Sequence, residues 1–174
     1  HLVEEVADVQ RVQPAQTDKL AVVTQTTLSM DDAAEITAAV RARFPSIREP
    51  KQQDICYATQ NRQDAVKLLS PRVDVMIVVG SPTSSNSNRL AELAQRMGVS
   101  SYLIDSAAEI EPQWLEDRQR VGLTAGASAP DILVQQVIDR LKQLGAVSVR
   151  KMQGLEETTK FPLPKGLKVD ALHP

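Results

Sequence analysis

Cysteine occurs once, at Cys56, and histidine only at His1 and His173. A single thiol excludes an internal disulfide and fits a reducing compartment. Aromatic residues make up 3% of the 174-residue chain, too few for a surface on which nucleobases stack. Lysine plus arginine (20) nearly balances aspartate plus glutamate (22), so no general field draws the protein to nucleic acid or to an anionic membrane. No apolar run approaches the roughly 20 residues that span a bilayer, and no basic stretch followed by an apolar signal segment opens the chain. What is left is a globular chain that reads as cytoplasmic, with neither nucleic acid nor membrane as a partner. Its 42% hydrophobic content supports an ordinary core in one large domain or two small ones.

What the chain does have is a recurring unit of apolar run, hydroxyl-rich turn and helix. The clearest copy begins at Val75-Met76-Ile77-Val78-Val79, continues through Gly80-Ser81-Pro82-Thr83-Ser84-Ser85-Asn86-Ser87-Asn88 and ends in a helix with Leu90, Leu93, Ala94 and Met97 on one face. A helix starts with unpaired backbone N–H groups and a partial positive charge, so hydroxyls and amides gathered there suit an anion. No Lys or Arg lies inside the turn, and Arg89 follows it. One Ser, Thr or Asn suffices as an N-cap. The turn holds more of them than capping needs, and pattern alone leaves both readings open.

A second copy runs from the apolar strand Leu20–Val23 through Thr24-Gln25-Thr26-Thr27-Leu28-Ser29. Ser29 is placed to cap a helix whose first turn carries Asp31 and Asp32, and Ile36, Val40 and Phe44 give it one apolar stripe up to Pro45. A third, from Val121 to Pro130, has Ser128 in the N-cap position with Asp131 three residues on. Leu133, Val134, Val137, Ile138 and Leu141 form its helix stripe, and Gly145 closes it. Cys56 stands just before a helix with Ala65, Leu68 and Leu69 inward, where the helix dipole favours negative charge. By position alone it is either a small buried hydrophobe or a ligand. Gly98 stops the helix after the first cradle, Tyr102-Leu103-Ile104 is a further strand, and Pro112 opens a short turn whose Trp114 is core or packing surface. Short strands are expected at His1–Val6 and, as two edge strands, between Val147 and Leu163. His173 and Pro174 read as tail.

Strands alternating with helices imply parallel sheets covered on both faces, an α/β fold of Rossmann-like domains. Ligands in such folds sit beyond the carboxyl ends of the strands, where all three turns lie. The polar stretch Glu49–Gln53 is the expected boundary, giving residues 1–52 as the later part of one incomplete α/β domain and 53–174 as another. The opening strand has no preceding neighbour in sequence, so the chain is expected to begin inside a domain.

Four segments in this order and spacing resemble the hydroxymethylbutenyl diphosphate reductase family, also called LytB or IspH: Thr24–Ser29, Asp54–Arg62, Gly80-Ser81 with Ser84–Leu90, and Thr124–Pro130. The resemblance runs along essentially the whole chain and corresponds to a C-terminal portion of the family protein. It implies three similar α/β domains around a [4Fe-4S] cluster held by three cysteines, one per domain, with one iron open to the substrate hydroxyl. Reductive dehydroxylation of an allylic diphosphate to isopentenyl and dimethylallyl diphosphate follows, the final step of the non-mevalonate isoprenoid pathway. An external electron donor of the ferredoxin or flavodoxin class is implied as partner. Matched by motif, Cys56 is the third cluster ligand and Thr26 the threonine that bonds the substrate hydroxyl. Ser84, Ser85, Asn86 and Ser128 are the diphosphate cradle, with Thr59 beside them. The family's other two cysteines, its substrate-binding histidines and its proton-donating glutamate belong to motifs that have no match in this chain. One thiolate cannot hold a cluster that expects three, so the 174-residue chain alone is expected to be inactive. The alternative is a phosphoester-binding α/β module without redox activity.

Overall fold

Five consecutive apolar residues, Val75–Val79, form strand β1, and all five are buried. A computed structural model describes residues 1–50 and 54–152, and β1 lies at its centre. Two parallel neighbours, β2 (Ser100–Ile104) and β3 (Val121–Ala125), flank it in the order β2-β1-β3. Val75 pairs with Ser100 on one side and Val121 on the other, and Val79 with Ile104 and Ala125. An unbroken apolar run suits this place because both faces of the strand are covered. Met76 and Val78 pack against Val66 of α2 (Tyr57–Leu69) and Leu90, Ala91 and Ala94 of α3 (Ser85–Arg96). Ile77 and Val79 meet Val137 and Leu141 of α4 (Asp131–Gln143), with Ile104 and Ile110. Each such side chain contributes about 1.5–3 kcal/mol by leaving water. The expected α/β architecture with helices on both faces is what is found.

Helix ends follow their local chemistry. The backbone turns to positive φ at Gly98 and Gly145, just beyond α3 and α4. At Gly145 the Ala146 N–H reaches back to the Leu141 carbonyl at 2.9 Å, which closes the last turn as glycine in the left-handed region allows. Trp114, in the single turn Pro112–Leu115, stacks on Tyr102 with ring centroids 3.9 Å apart.

The first 50 residues are built differently. Helix α1 (Met30–Arg43) packs Val40 and the following Phe44 on Val9 of a 3-10 turn, Val6–Arg11, with Ile36 alongside. The expected strand at His1–Val6 is absent because the Asp8 carboxylate gathers the Glu4 and Glu5 N–H groups at 3.0 and 3.1 Å, which winds the chain locally. The expected strand at Leu20–Val23 is only a bridge between Ala21 and Arg48. Arg48 exchanges two 2.9 Å backbone bonds with Leu20 and Val22, and no further strand among the described residues extends the pairing. Val23 is consequently 80% exposed.

Three further expectations need correction. Leu68 is exposed and Val66 buried, since residues two apart on a helix point about 200° apart. Met97, the C-cap residue of α3, is also exposed because the chain leaves helical geometry there. Residues 147–152 form no strand, and Val147 stands in solvent. The remainder of the two expected edge strands, the tail at His173 and Pro174, and residues 51–53 of the expected boundary lie outside the described residues.

Candidate functional site

The turn after β1 spends most of its hydroxyls and amides on itself. Ser84 is the N-cap of α3, accepting from the Ser87 N–H at 3.3 Å and the Ser87 hydroxyl at 3.1 Å. Asn88 donates to the carbonyls of Pro82 and Ser84 at 2.7 and 2.9 Å. The hydroxyls of Ser81 and Thr83 bond each other at 2.9 Å. Ser85 is exposed at the first helical position, and Asn86, at the second, is 6% exposed with neither side-chain Oδ1 nor Nδ2 bonded to protein. Leaving a buried amide unpaired costs about 1–3 kcal/mol per group, so an unmatched carboxamide calls for a ligand or another explanation. It sits beside the N–H groups of the first helical turn, which have no intrahelical acceptor.

Glycine makes this corner possible. Gly80 and Gly126 follow β1 and β3, with Gly126 N–H bonded to the Val79 carbonyl at 2.9 Å. A Cβ on either glycine would overlap the buried Ser87 hydroxyl, and one on Gly126 would come 3.7 Å from Asn86 Nδ2. The turn of β3 therefore presses directly on the start of α3. Ser128, two residues further on, is exposed. It is not the cap of α4, contrary to the expectation: Pro130 takes that position and no side chain caps the helix. The turn held by Ala129 N–H to Gly126 carbonyl at 3.0 Å delays the helix by two residues, so capping does not occupy the Ser128 hydroxyl.

Cys56 is the N-cap residue of α2, partly exposed, and its side chain makes no cap bond. Its N–H donates to the Thr26 carbonyl at 2.9 Å, which places the two residues side by side although 30 positions separate them. Thr26 itself is exposed. Thr59 is buried one turn along α2, on the face that also carries Gln63 and Val66 inward. Because α2 hands its C-terminus to the beginning of β1 through Ser70–Arg72, its N-terminus lies toward the carboxyl edge of the sheet, as does that of α3. The structure thus forms two groups at one edge: Thr26 with Cys56 and Thr59, and Ser84, Ser85 and Asn86 beside the Ser128 turn.

Residues that shape this edge without a sequence signal of their own are Gln63 and Asp54. The Asp54 carboxylate accepts from the Thr24 N–H at 2.8 Å, and Gln63 bonds both Leu28 and Met30. The inward face of α2 is itself mixed, with Thr59 and Gln63 buried beside Val66, so no apolar stripe set the glutamine apart. Ion pairs tie the start of α1 to both neighbouring helices: Asp31 with Lys67 of α2 at 2.7 Å, and Asp32 with Arg96 of α3 through two bonds of 2.6 and 3.0 Å. The Arg96 guanidinium holds the Asp32 carboxyl below its ordinary value.

A cavity of about 570 Å³ lies between Leu2–Glu4, the Leu20–Gln25 segment and α1, and its lining takes in Leu28 and Ser29 of the loop that carries Thr26. Mostly apolar side chains line it, with Thr24 and Arg89 among the polar ones. Among the described residues no cluster of three or more His, Cys, Asp or Glu is placed to hold a metal. The donor chemistry here fits one thiolate ligand to a shared iron–sulfur group and no more.

Fold and site together define a parallel α/β protein with small polar residues and helix N-termini gathered where its strands end. Residues 1–142 match the model of the LytB protein family, and the chain belongs to that family. It is 75% identical over 98% of its length to a 4-hydroxy-3-methylbut-2-enyl diphosphate reductase of Polaromonas sp. (strain JS666), covering 51% of that protein. The corresponding reductase of Methylibium petroleiphilum is 69% identical over 96% of this chain, again with 51% of the relative covered. A solved structure of E-1-hydroxy-2-methyl-but-2-enyl-4-diphosphate reductase from Plasmodium falciparum superposes with a TM-score of 0.77 at 37% identity, over 82% of this chain and 45% of that one. The chain therefore spans about half the length of the curated relatives it matches.

Proposed function

We propose that this chain is part of a 4-hydroxy-3-methylbut-2-enyl diphosphate reductase, in which it supplies the diphosphate cradle and one of the cysteines that would hold the iron–sulfur cluster. The observation that carries the reading is the Asn86 carboxamide, buried and unbonded in the first turn of α3. A diphosphate would satisfy that amide, the Ser84, Ser85 and Ser128 hydroxyls and the positive end of α3 together. Neutral donors then hold the anion, and Thr59, read from the family motif as one of them, is buried in α2. The Thr26 hydroxyl is offered to the substrate hydroxyl. Cys56 would bind one iron of a [4Fe-4S] cluster, and that cluster, when bound, supplies the two electrons of the dehydroxylation. An external protein of the ferredoxin or flavodoxin class would deliver them. Residues 1–52 and 53–174 are read as parts of two α/β domains, supported by the separate apolar clusters around Val9 and around β1. No described helix is long and apolar enough to cross a membrane.

The test uses the full-length protein. Asn86→Ala should raise KM about 10- to 100-fold, the loss of a hydrogen bond to a charged group, with an unchanged melting temperature. Lost stability at unchanged KM would return Asn86 to a purely structural role. Cys56→Ser should abolish turnover, whereas retained turnover would favour a phosphoester-binding module without redox chemistry.

A further inference from the structure

Gln63 is 2% exposed, and its amide is used at both ends. Oε1 accepts from the Met30 N–H at 2.9 Å and Nε2 donates to the Leu28 carbonyl at 2.8 Å. Met30 opens α1, so its N–H has no acceptor within its own helix and takes one from another. Two more bonds cross the same seam, Asp54 carboxylate to Thr24 N–H at 2.8 Å and Cys56 N–H to Thr26 carbonyl at 2.9 Å. Backbone groups of residues 24, 26, 28 and 30 are therefore each gripped from the segment 54–63. Thr26 and Cys56 sit inside that grip.

We propose that Gln63 is a positioning residue. By holding Leu28 and Met30 at once, it fixes the loop that carries Thr26 to the helix that begins at Cys56, and so sets the threonine hydroxyl against the sulfur. The inference rests on the reading of Thr26 and Cys56 as members of one reaction site. Its chemistry selects glutamine, because one side chain must present a donor and an acceptor at a single reach. Glutamate would turn an anionic oxygen toward the Leu28 carbonyl, and methionine would fill the space with neither bond.

Two measurements test it. In the 174-residue chain, Gln63→Met should speed amide exchange at Met30 and Cys56 by about tenfold or more while the β1 amides keep theirs. Val66→Ala, a cavity on the same helix face, is the control. Unchanged exchange at Met30 and Cys56 in Gln63→Met, or equal acceleration by Val66→Ala at matched loss of melting temperature, overturns the proposal. Should Gln63→Met fail to fold, the native chain still decides, since the two amides must then open together with one dependence on denaturant, and independent opening overturns the grip. In the full-length reductase, Gln63→Met should lower kcat about tenfold with KM within about twofold, because the cradle on α3 is untouched. Unchanged kcat would make the seam structural only. The exchange readout does not pass through any cluster, so failure of the functional reading, seen in Cys56→Ser, is distinguishable from failure of this one.

Discussion

Val75–Val79 and Leu20–Val23 are apolar runs of closely similar chemistry, yet only the first becomes a strand. Every residue of the first is buried, because parallel partners pair with it on both sides and helices cover both faces. The second has a single bridge to Arg48 and leaves Val23 largely in solvent. Strand propensity is thus a statement about neighbours as much as about side chains. The contrast also separates two ways of making a ligand corner. After β1 the turn is backed by a rigid sheet and braced by Gly126. After Leu20–Val23 the turn has no sheet behind it among the described residues, and bonds from Asp54, Cys56 and Gln63 hold it instead.

The strongest way to break the comparison is to cut both runs equally. Ile77→Ala should cost about 2–5 kcal/mol in urea unfolding through the cavity it leaves, whereas Val23→Ala should stay within about 0.5 kcal/mol. Comparable losses at the two sites would show that the Leu20–Val23 segment is packed in solution. Gly126→Ala probes the bracing of the first corner. The new methyl group meets the buried Ser87 hydroxyl, and overpacking of this kind costs about 1–3 kcal/mol. Binding of inorganic diphosphate by calorimetry should weaken with it, while the same loss of stability without any change in binding would show that the Gly126 contact does not shape the cradle.

The smallest effect expected is a pH dependence at the opposite end of the sheet. Asp74 accepts from the backbone N–H groups of Arg120 and Gln119 at 2.8 and 3.0 Å, bonds that hold its carboxyl below the ordinary aspartate value of 3.8. A depressed carboxylate contributes stability that is complete above its unfolded value and is lost as pH falls through the folded one. Melting temperature should therefore fall more steeply below about pH 4 in the native chain than in Asp74→Asn. Parallel curves would mean that the strand ends are joined without help from this carboxylate.

Much of the fold was legible in advance because it is written in neighbours within one turn or one strand. The five-residue apolar run, the Ser29 cap and the glycine after α4 each depend on residues a few positions away. Pattern marked only the small polar corners where strands or loops give way to helices; Thr26, Cys56, Ser84, Ser85, Asn86 and Ser128 were singled out within them by resemblance to the family's motifs. Phase was harder. Leu68 and Val66 differ by two positions, and a short helix with few apolar residues does not state which of them faces inward.

Composition and local pattern by themselves determined the α/β character, the buried central strand and the polar corners that begin its helices. Only the tertiary structure decided which corner residues were consumed by the turn and which, like Asn86, were left unbonded. It also decided that Gln63 would reach Leu28 across 35 positions and Asp54 would reach Thr24 across 30. The physical reason is one of range: periodicity reports the side of an element that avoids water, while a hydrogen bond between distant segments exists only once packing has brought donor and acceptor to within about 3 Å.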